Sequence, residues 1–243
     1  MKNPKHKKLE LKTMKIGIIG AMELEINTLR AAIIDCKETK IGRFAFYEGT
    51  LCGTEVVVLL SGIGKVSAAV ATTLLIEKYN PSLIINTGTA GGLADTSVHD
   101  IILATEVRHH DVDVTAFGYE IGQQAQMPPA FIADVQWSAQ LKEVAAQHQY
   151  RLHYGQVVSG DAFISSPERL QQIANTFPQA KAVEMEAAAI AQTCYLLGVP
   201  FVMLRAISDK AGEGNAISYN EFVEEAGRIS AEIVKAFCQK IRG

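Results

Sequence analysis

Three acidic positions combine residue type and placement in a way that can do acid-base chemistry: Glu25, the Glu184-Met185-Glu186 pair and Asp209. Asp209 ends the run Pro200-Phe-Val-Met-Leu-Arg205-Ala-Ile-Ser208-Asp209, whose apolar density predicts a buried strand with Arg205, Ser208 and Asp209 near its carboxyl end. In open α/β sheets ligands bind at that end. A carboxyl group there is either structural or a proton donor, and desolvation would suit it to the second task by raising its pKa. Glu25 follows a predicted strand at Lys15 to Gly20 and falls in the opening turn of a predicted helix, where the helix dipole favours an anion. Glu184 and Glu186 lie between a short strand and an alanine-rich helix, and two apart on extended backbone they point the same way. Taken singly, each is explained as well by an acidic first turn that stabilises its helix. Their common placement at strand-to-helix transitions is what argues for one shared site.

Other spacings carry less. Gly17-x-x-Gly20 lacks the first glycine of the dinucleotide fingerprint and the acidic residue that closes its next strand, so no nicotinamide or flavin is expected. Gly64-Lys65 resembles the tail of a phosphate loop, but Leu59 and Val66 occupy the positions of its first glycine and its Ser/Thr. His109-His110-Asp111-Val112-Asp113 offers four possible ligands in five residues, which cannot easily converge on one ion, and it reads as a polar strand end and loop. Neither a metal nor a cofactor is expected.

The elements that must position these residues alternate strand and helix. Strands are predicted at 15–20, 43–48, 54–60, 83–86, 100–108, 152–159 and 180–186, besides the one ending at Asp209. Helices are predicted over 22–32, from Lys65 to Tyr79, over 134–149 and 167–176, up to Leu197 with Gly198 as its stop, and from Ser218, where Ser-Tyr-Asn-Glu221 has capping-box spacing. Thr87-Gly-Thr-Ala-Gly-Gly92 reads as a loop whose glycines let backbone approach a ligand, and 109–131 as a long loop without period. The fold class is therefore α/β, a single domain with a central mixed sheet flanked by helices.

With 243 residues and 48% hydrophobic content the chain can build one large core. Its apolar runs are far shorter than the roughly 20 residues of a membrane span, and the N-terminus lacks the apolar segment of a signal peptide, so a cytoplasmic protein is expected. Residues 1–13 hold five lysines against one glutamate, which leaves −7 of the net −3 for the other 230 residues and makes them a poor nucleic-acid binder. That basic stretch reads as a disordered extension, with the domain proper at 14–243. Cys36, Cys52, Cys194 and Cys238 have no Cys-x-x-Cys spacing, as expected of reduced thiols.

Seven ordered segments carry a resemblance: Gly20-Ala-Met-Glu-Leu-Glu25, Ser61-Gly-Ile-Gly-Lys65, Asn86-Thr-Gly-Thr-Ala-Gly-Gly92, His110-Asp-Val-Asp-Val-Thr-Ala-Phe-Gly118, Val158-Ser-Gly-Asp-Ala-Phe163, Val183-Glu-Met-Glu-Ala187 and Arg205-Ala-Ile-Ser-Asp209. Together the chain resembles the bacterial 5'-methylthioadenosine/S-adenosylhomocysteine nucleosidases of the nucleoside phosphorylase superfamily. The resemblance implies cleavage of an adenine nucleoside by water through an oxocarbenium-like transition state, a step of methionine salvage and of methyl-cycle by-product removal. It implies Asp209 as the acid toward adenine N7, Glu25 as the base for water, Glu186 as the grip on the ribose hydroxyls, and Arg205 and Thr89 as supports of water and carboxylate. Phe163 would stack on adenine, Ile164 would read its edge through backbone groups, and Met185 would pack beneath the ribose, with Glu184 and Ser208 as further binding residues. Met22, Ile63 and Tyr219 would line the 5'-thio pocket. Val114 and Phe117 would reach the neighbouring subunit's site, which implies a homodimer. Thr89 stands where the family has Ser, and Tyr219 where it usually has Phe. Rivals on the same scaffold are a phosphorylase and a futalosine-type nucleosidase, and outside enzymes a nucleoside-binding protein.

Overall fold

The computed structural model describes residues 14–210 and 216–242 of the chain. Within them the order is β1 (Lys15–Gly20), α1 (Glu23–Ala31), β2 (Ile34–Ile41), β3 (Phe44–Leu51), β4 (Thr54–Leu60), α2 (Lys65–Tyr79), β5 (Leu83–Gly92), β6 (Ile101–His109), a 3-10 turn (Thr115–Phe117), β7 (Phe131–Ile132), α3 (Val135–Ala145), β8 (Leu152–Ser159), α4 (Pro167–Thr176), β9 (Ala180–Glu184), α5 (Ala187–Leu197), β10 (Phe201–Lys210) and α6 (Ala216–Lys240). Successive strand residues face opposite sides, so each buried strand feeds two cores. Ile16 and Ile18 of β1, Val56 and Val58 of β4, Leu83 and Ile85 of β5, and Val202 and Leu204 of β10 pack in one core with residues of α1, α3 and α6. Ile19, Val57, Leu59, Ile84, Phe201 and Met203 fall in a second core with α2 and α5. Helices thus cover both faces of one mixed sheet, the expected architecture.

The sheet runs β10-β6-β8-β9-β5-β1-β4-β3-β2, and β10 also pairs with β5, which closes five strands into a ring. β5 is the strand on which the site depends. Its first half, Leu83 to Asn86, pairs in parallel with Ile16 to Ile19 of β1. Its end, Gly91 and Gly92, pairs instead with Val183 and Ala182 of β9. On its other edge β10 follows it throughout, from Phe201 against Ile84 to Lys210 against Gly92. Between Asn86 and Gly91 the strand therefore leaves one neighbour before it meets the next, and that divergence opens a crevice beyond the end of β1.

Several expectations need correction. Thr87 to Gly92 is not a loop but the second half of β5, because β10 supplies a continuous hydrogen-bonding partner along it. β2 was not expected; its sequence IDCKETKI is mostly exposed and shows no buried alternation, since it is an edge strand held by β3 alone. The helix expected over 134–149 stops at Ala145, just after its last buried residues, Val144 and Ala145. α6 starts at Ala216 rather than Ser218, a shift within ordinary end variation, and the side chains of the expected capping box lie outside the described residues. So does the basic stretch 1–13. The long segment 109–131 is irregular apart from His109, which ends β6, its 3-10 turn and the first residue of β7.

Candidate active site

Arg205 is the largest fully buried side chain, 1% exposed, and three glutamates surround it. Its Nη2 donates to Glu184 Oε2 at 2.6 Å and to Asn86 Oδ1 at 3.1 Å. Glu25 Oε1 lies 3.6 Å from Nη1 and Glu186 Oε2 3.7 Å from Nη2. Burial works against the charge on Arg205, but Glu184, Glu25 and Glu186 outweigh it and raise its pKa. Three carboxyl groups around one guanidinium leave excess negative charge if all ionise. Glu186 takes up that strain: burial first, then Glu184, push it up to about 8, against the pull of Arg205. Glu184 is fully engaged by protein, accepting from Ser159 Oγ and from the N–H groups of Glu186 and Ala187 as well as from Arg205. The strand ends at Glu184 and residues 185–186 form a bend, not the extended backbone expected. Both nonetheless reach Arg205.

Glu25 is 2% exposed and held on both oxygens. Oε2 accepts from the N–H of Ala21 at 2.8 Å and of Met22 at 3.1 Å, which satisfies donors at the start of α1. Oε1 accepts from Thr89 N at 2.8 Å and Thr89 Oγ1 at 3.1 Å. Helix stabilisation and placement at the crevice are thus two uses of one side chain. The close approach depends on Gly88, at φ 141°, where a Cβ would collide with the Glu25 carboxylate and Arg205 Nη1.

Asp209 has a different setting. Between Ile207 and Asp209 the register of β10 on β5 slips by one, leaving Ser208 unpaired as a bulge. Ser208 Oγ donates to Asp209 Oδ1 at 2.7 Å. Burial raises the pKa of Asp209, and the Ser208 hydroxyl offsets it only in part. A carboxyl group whose pKa is raised in this way holds its proton to higher pH, as a general acid must.

A cavity of about 400 Å³ is lined by Glu25, Thr89, Glu184, Glu186 and Ser208 on its polar side and by Met22, Ile63, Phe163 and Met185 among its apolar residues. Asp209 and Ile164 line an adjoining niche of about 30 Å³ that shares Gly91, Phe163, Val183, Glu184 and Met185 with it. Most of the expected residues therefore meet in two contiguous spaces. Val114 and Phe117 line neither, and Phe117 is 82% exposed. Tyr219 lies outside the residues whose side chains are described. The histidine-aspartate run diverges: His109 Nε2 pairs with Gln192, Asp111 with Lys65, and Asp113 with Thr115. Sequence reasoning missed Gly64, whose N–H donates to Glu186 Oε1 at 2.8 Å, and Asn86 and Ser159, which hold Arg205 and Glu184. No spacing rule links partners 25 to 122 residues apart.

Comparison with known proteins agrees with this geometry. Residues 15–239 match the model of the phosphorylase superfamily. The 5'-methylthioadenosine/S-adenosylhomocysteine nucleosidase of Exiguobacterium sp. is 50% identical over 230 residues, covering 94% of this chain and 99% of that protein. The crystal structure of the Neisseria meningitidis nucleosidase of the same name, in complex with methylthio-immucillin-A, superposes with a TM-score of 0.91 at 46% identity, covering 93% of this chain and 99% of that one. That from Colwellia psychrerythraea, in complex with adenine, gives a TM-score of 0.91 at 41% identity, covering 95% and 96%. The chain belongs to the phosphorylase superfamily, within its group of 5'-methylthioadenosine/S-adenosylhomocysteine nucleosidases.

Proposed function

We propose that this chain hydrolyses the N-glycosidic bond of 5'-methylthioadenosine and S-adenosylhomocysteine, releasing adenine and the 5'-thioribose derivative, with Asp209 as acid, Glu25 as base and Glu186 on the sugar. The observation that carries this reading is the meeting of Glu25 and Glu186 on one cavity with Asp209 on the niche beside it. Bond cleavage leaves negative charge on the departing purine and positive charge on the ribose, so the purine end needs a proton and the sugar end needs anions. The two ends of this site divide in that sense. Asp209, its pKa raised by burial, donates to adenine N7. Glu25, fixed by Thr89 and the first turn of α1, deprotonates water, with Arg205 holding the carboxylates around it.

Glu186 grips the ribose hydroxyls. Burial and Glu184 push its pKa up to about 8, and positive charge growing on the sugar favours its ionised form, which in turn stabilises that charge. Phe163, half exposed on the cavity wall, stacks on adenine, a contact worth about 1–3 kcal/mol, while backbone groups of Ile164 read the base edge. Met185 lies under the ribose, Glu184 walls the pocket and fixes Arg205, and Met22 and Ile63 receive the 5' substituent.

Water rather than phosphate is the nucleophile. Like charges 4 Å apart repel by about 4 kcal/mol at an effective dielectric near 20, so the position of Glu25 disfavours a phosphate anion. The working form is a homodimer in which the exposed Phe117, with Val114, closes the partner's pocket, since a ring 82% exposed is covered by such an arrangement. The four free cysteines fit a reducing, cytoplasmic setting. The test is a substrate panel of adenine nucleosides and futalosine in phosphate-free buffer, with product identification and light-scattering mass. Free adenine and free thioribose from a dimer are expected. A requirement for phosphate with ribose 1-phosphate as product would refute hydrolysis, and turnover confined to futalosine would refute the substrate.

A further inference from the structure

Outside the cavity, three loops from three different strands are tied together by charged groups that none of the roles above uses. Lys65 opens α2, whose N-cap is Gly64 and offers no capping side chain. The cap comes from elsewhere: Asp161 Oδ1 accepts from Lys65 N at 2.7 Å, placing a carboxylate at the positive end of the helix. The Lys65 ammonium reaches back to Asp111 Oδ1 at 2.6 Å, and Asp111 Oδ2 accepts from Asp161 N at 2.9 Å. The three residues form a closed triangle between the loop after β4, the loop after β6 and the loop after β8. Burial opposes ionisation of Asp111, yet the Lys65 ammonium and the Asp161 N–H hold its carboxyl below the ordinary range. Gly160 lets two of the loops touch, because a Cβ there would collide with the His110 ring.

Two corners of the triangle, Lys65 and Asp161, adjoin groups at the cavity. Gly64, next to Lys65, donates its N–H to Glu186 Oε1. Phe163 stands two residues after Asp161 on the same loop. Gly160, just before Asp161, donates its N–H to Glu184 O at 3.1 Å. We propose that Lys65, Asp111 and Asp161 are positioning residues that set the Gly64 N–H against Glu186 and the Phe163 ring over the base, so that the clasp governs how well substrate is seated. This rests on the reading that Glu186 and Phe163 hold the nucleoside.

The experiment measures kcat and KM for 5'-methylthioadenosine, by adenine release, in Lys65→Met, Lys65→Arg, Asp111→Asn and Asp161→Ala, with Glu186→Gln and Phe163→Ala as references and thermal denaturation alongside. Misplacement of binding groups by a fraction of an ångström to an ångström costs about 10-fold to 100-fold in kcat/KM, and here the larger part is expected in KM. Lys65→Arg keeps the ion pair and is expected to recover most of what Lys65→Met loses. Unchanged KM in Lys65→Met and Asp161→Ala, or activity lost only in proportion to the unfolded fraction, overturns the clasp. Full activity in Glu186→Gln and Phe163→Ala overturns instead the site reading beneath it. Should Asp161→Ala not fold, the Lys65→Met and Lys65→Arg pair decides the question.

Discussion

The two ends of the crevice are built on opposite principles. Around Arg205 the chain buries three glutamates, each within 3.7 Å of the guanidinium, and surrounds them with further donors and acceptors from Asn86, Thr89, Ser159 and backbone N–H groups. Around Asp209 it supplies one hydrogen-bonding hydroxyl, Ser208, and a niche lined, Glu184 apart, by apolar residues and Gly91. The first setting orients carboxyl groups around a shared guanidinium. The second gives its carboxyl group no ion pair among the described residues, and burial raises its pKa. One strand, β10, carries both, with Arg205 and Asp209 four residues apart on either side of a bulge.

The strongest way to break the comparison is Asp209→Asn. An amide keeps the shape and cannot donate an acid proton, and a positioned general acid contributes about 10²-fold to 10⁴-fold. The expected result is a loss of that size in kcat with binding of a transition-state analogue weakened much less. The alkaline limb of the kcat/KM profile should vanish with it, since a residue needed in its protonated form makes activity fall as pH rises through its pKa. A variant that keeps wild-type kcat would remove Asp209 from the chemistry.

Next in size is Arg205→Met. It fills similar volume but leaves Glu25, Glu184 and Glu186 buried without their cation, and breaking a buried pair in this way costs about 3–5 kcal/mol. Because the hub is also part of the core, this change is expected to lower the melting temperature as well as activity, whereas Asp209→Asn should leave the fold intact. Equal melting temperatures for the two variants would contradict the contrast between a network and a lone acid.

How much of this contrast could be read from the residues differs between its halves. The dense apolar runs at 15–20 and 201–207, and the turn chemistry at Asn80-Pro81 and Gly198, made the parallel core legible, because burial on both faces leaves a continuous signal. β2 left none, since an exposed edge strand needs no apolar face. The carboxylates were visible as acids at strand ends, and the resemblance assigned their roles. Their environments were not visible. That Thr87 to Gly92 is a strand, that Gly64 caps Glu186, and that β5 changes neighbours after Asn86 all depend on strand partners distant in sequence.

Glu186 offers a finer test of the hub. Its pKa of about 8 in the folded chain exceeds the ordinary 4.5, so the folded state binds the extra proton. That contribution to stability is complete below pH 4.5 and is lost as pH rises through 8. Glu186→Gln removes the titration. The melting temperature of the wild type should therefore fall from pH 5 to pH 9 more steeply than that of the variant, and the variant's advantage should be greatest at pH 9. Parallel curves would mean that Glu186 is ionised throughout, and that Arg205 neutralises more of the cluster than its single charge allows.

The smallest effect is expected from Ser208→Ala, which touches only the one polar contact of the lone acid. The hydroxyl donates to Asp209 Oδ1 and so favours the ionised form, holding the pKa below what burial alone would impose. A single hydrogen bond to a charged group is worth about 1.5–3 kcal/mol at most, and Asp209 borders the cavity, so part of it is replaced by solvent. Removing it should raise the pKa of Asp209 further and move the alkaline limb of kcat/KM to higher pH, with a loss of several-fold or less at the optimum. The protonated form would persist over a wider range while donating its proton less readily. A limb displaced to lower pH would show that the hydroxyl stabilises the protonated carboxyl instead, and that the niche works by hydrogen bonding rather than by exclusion of water.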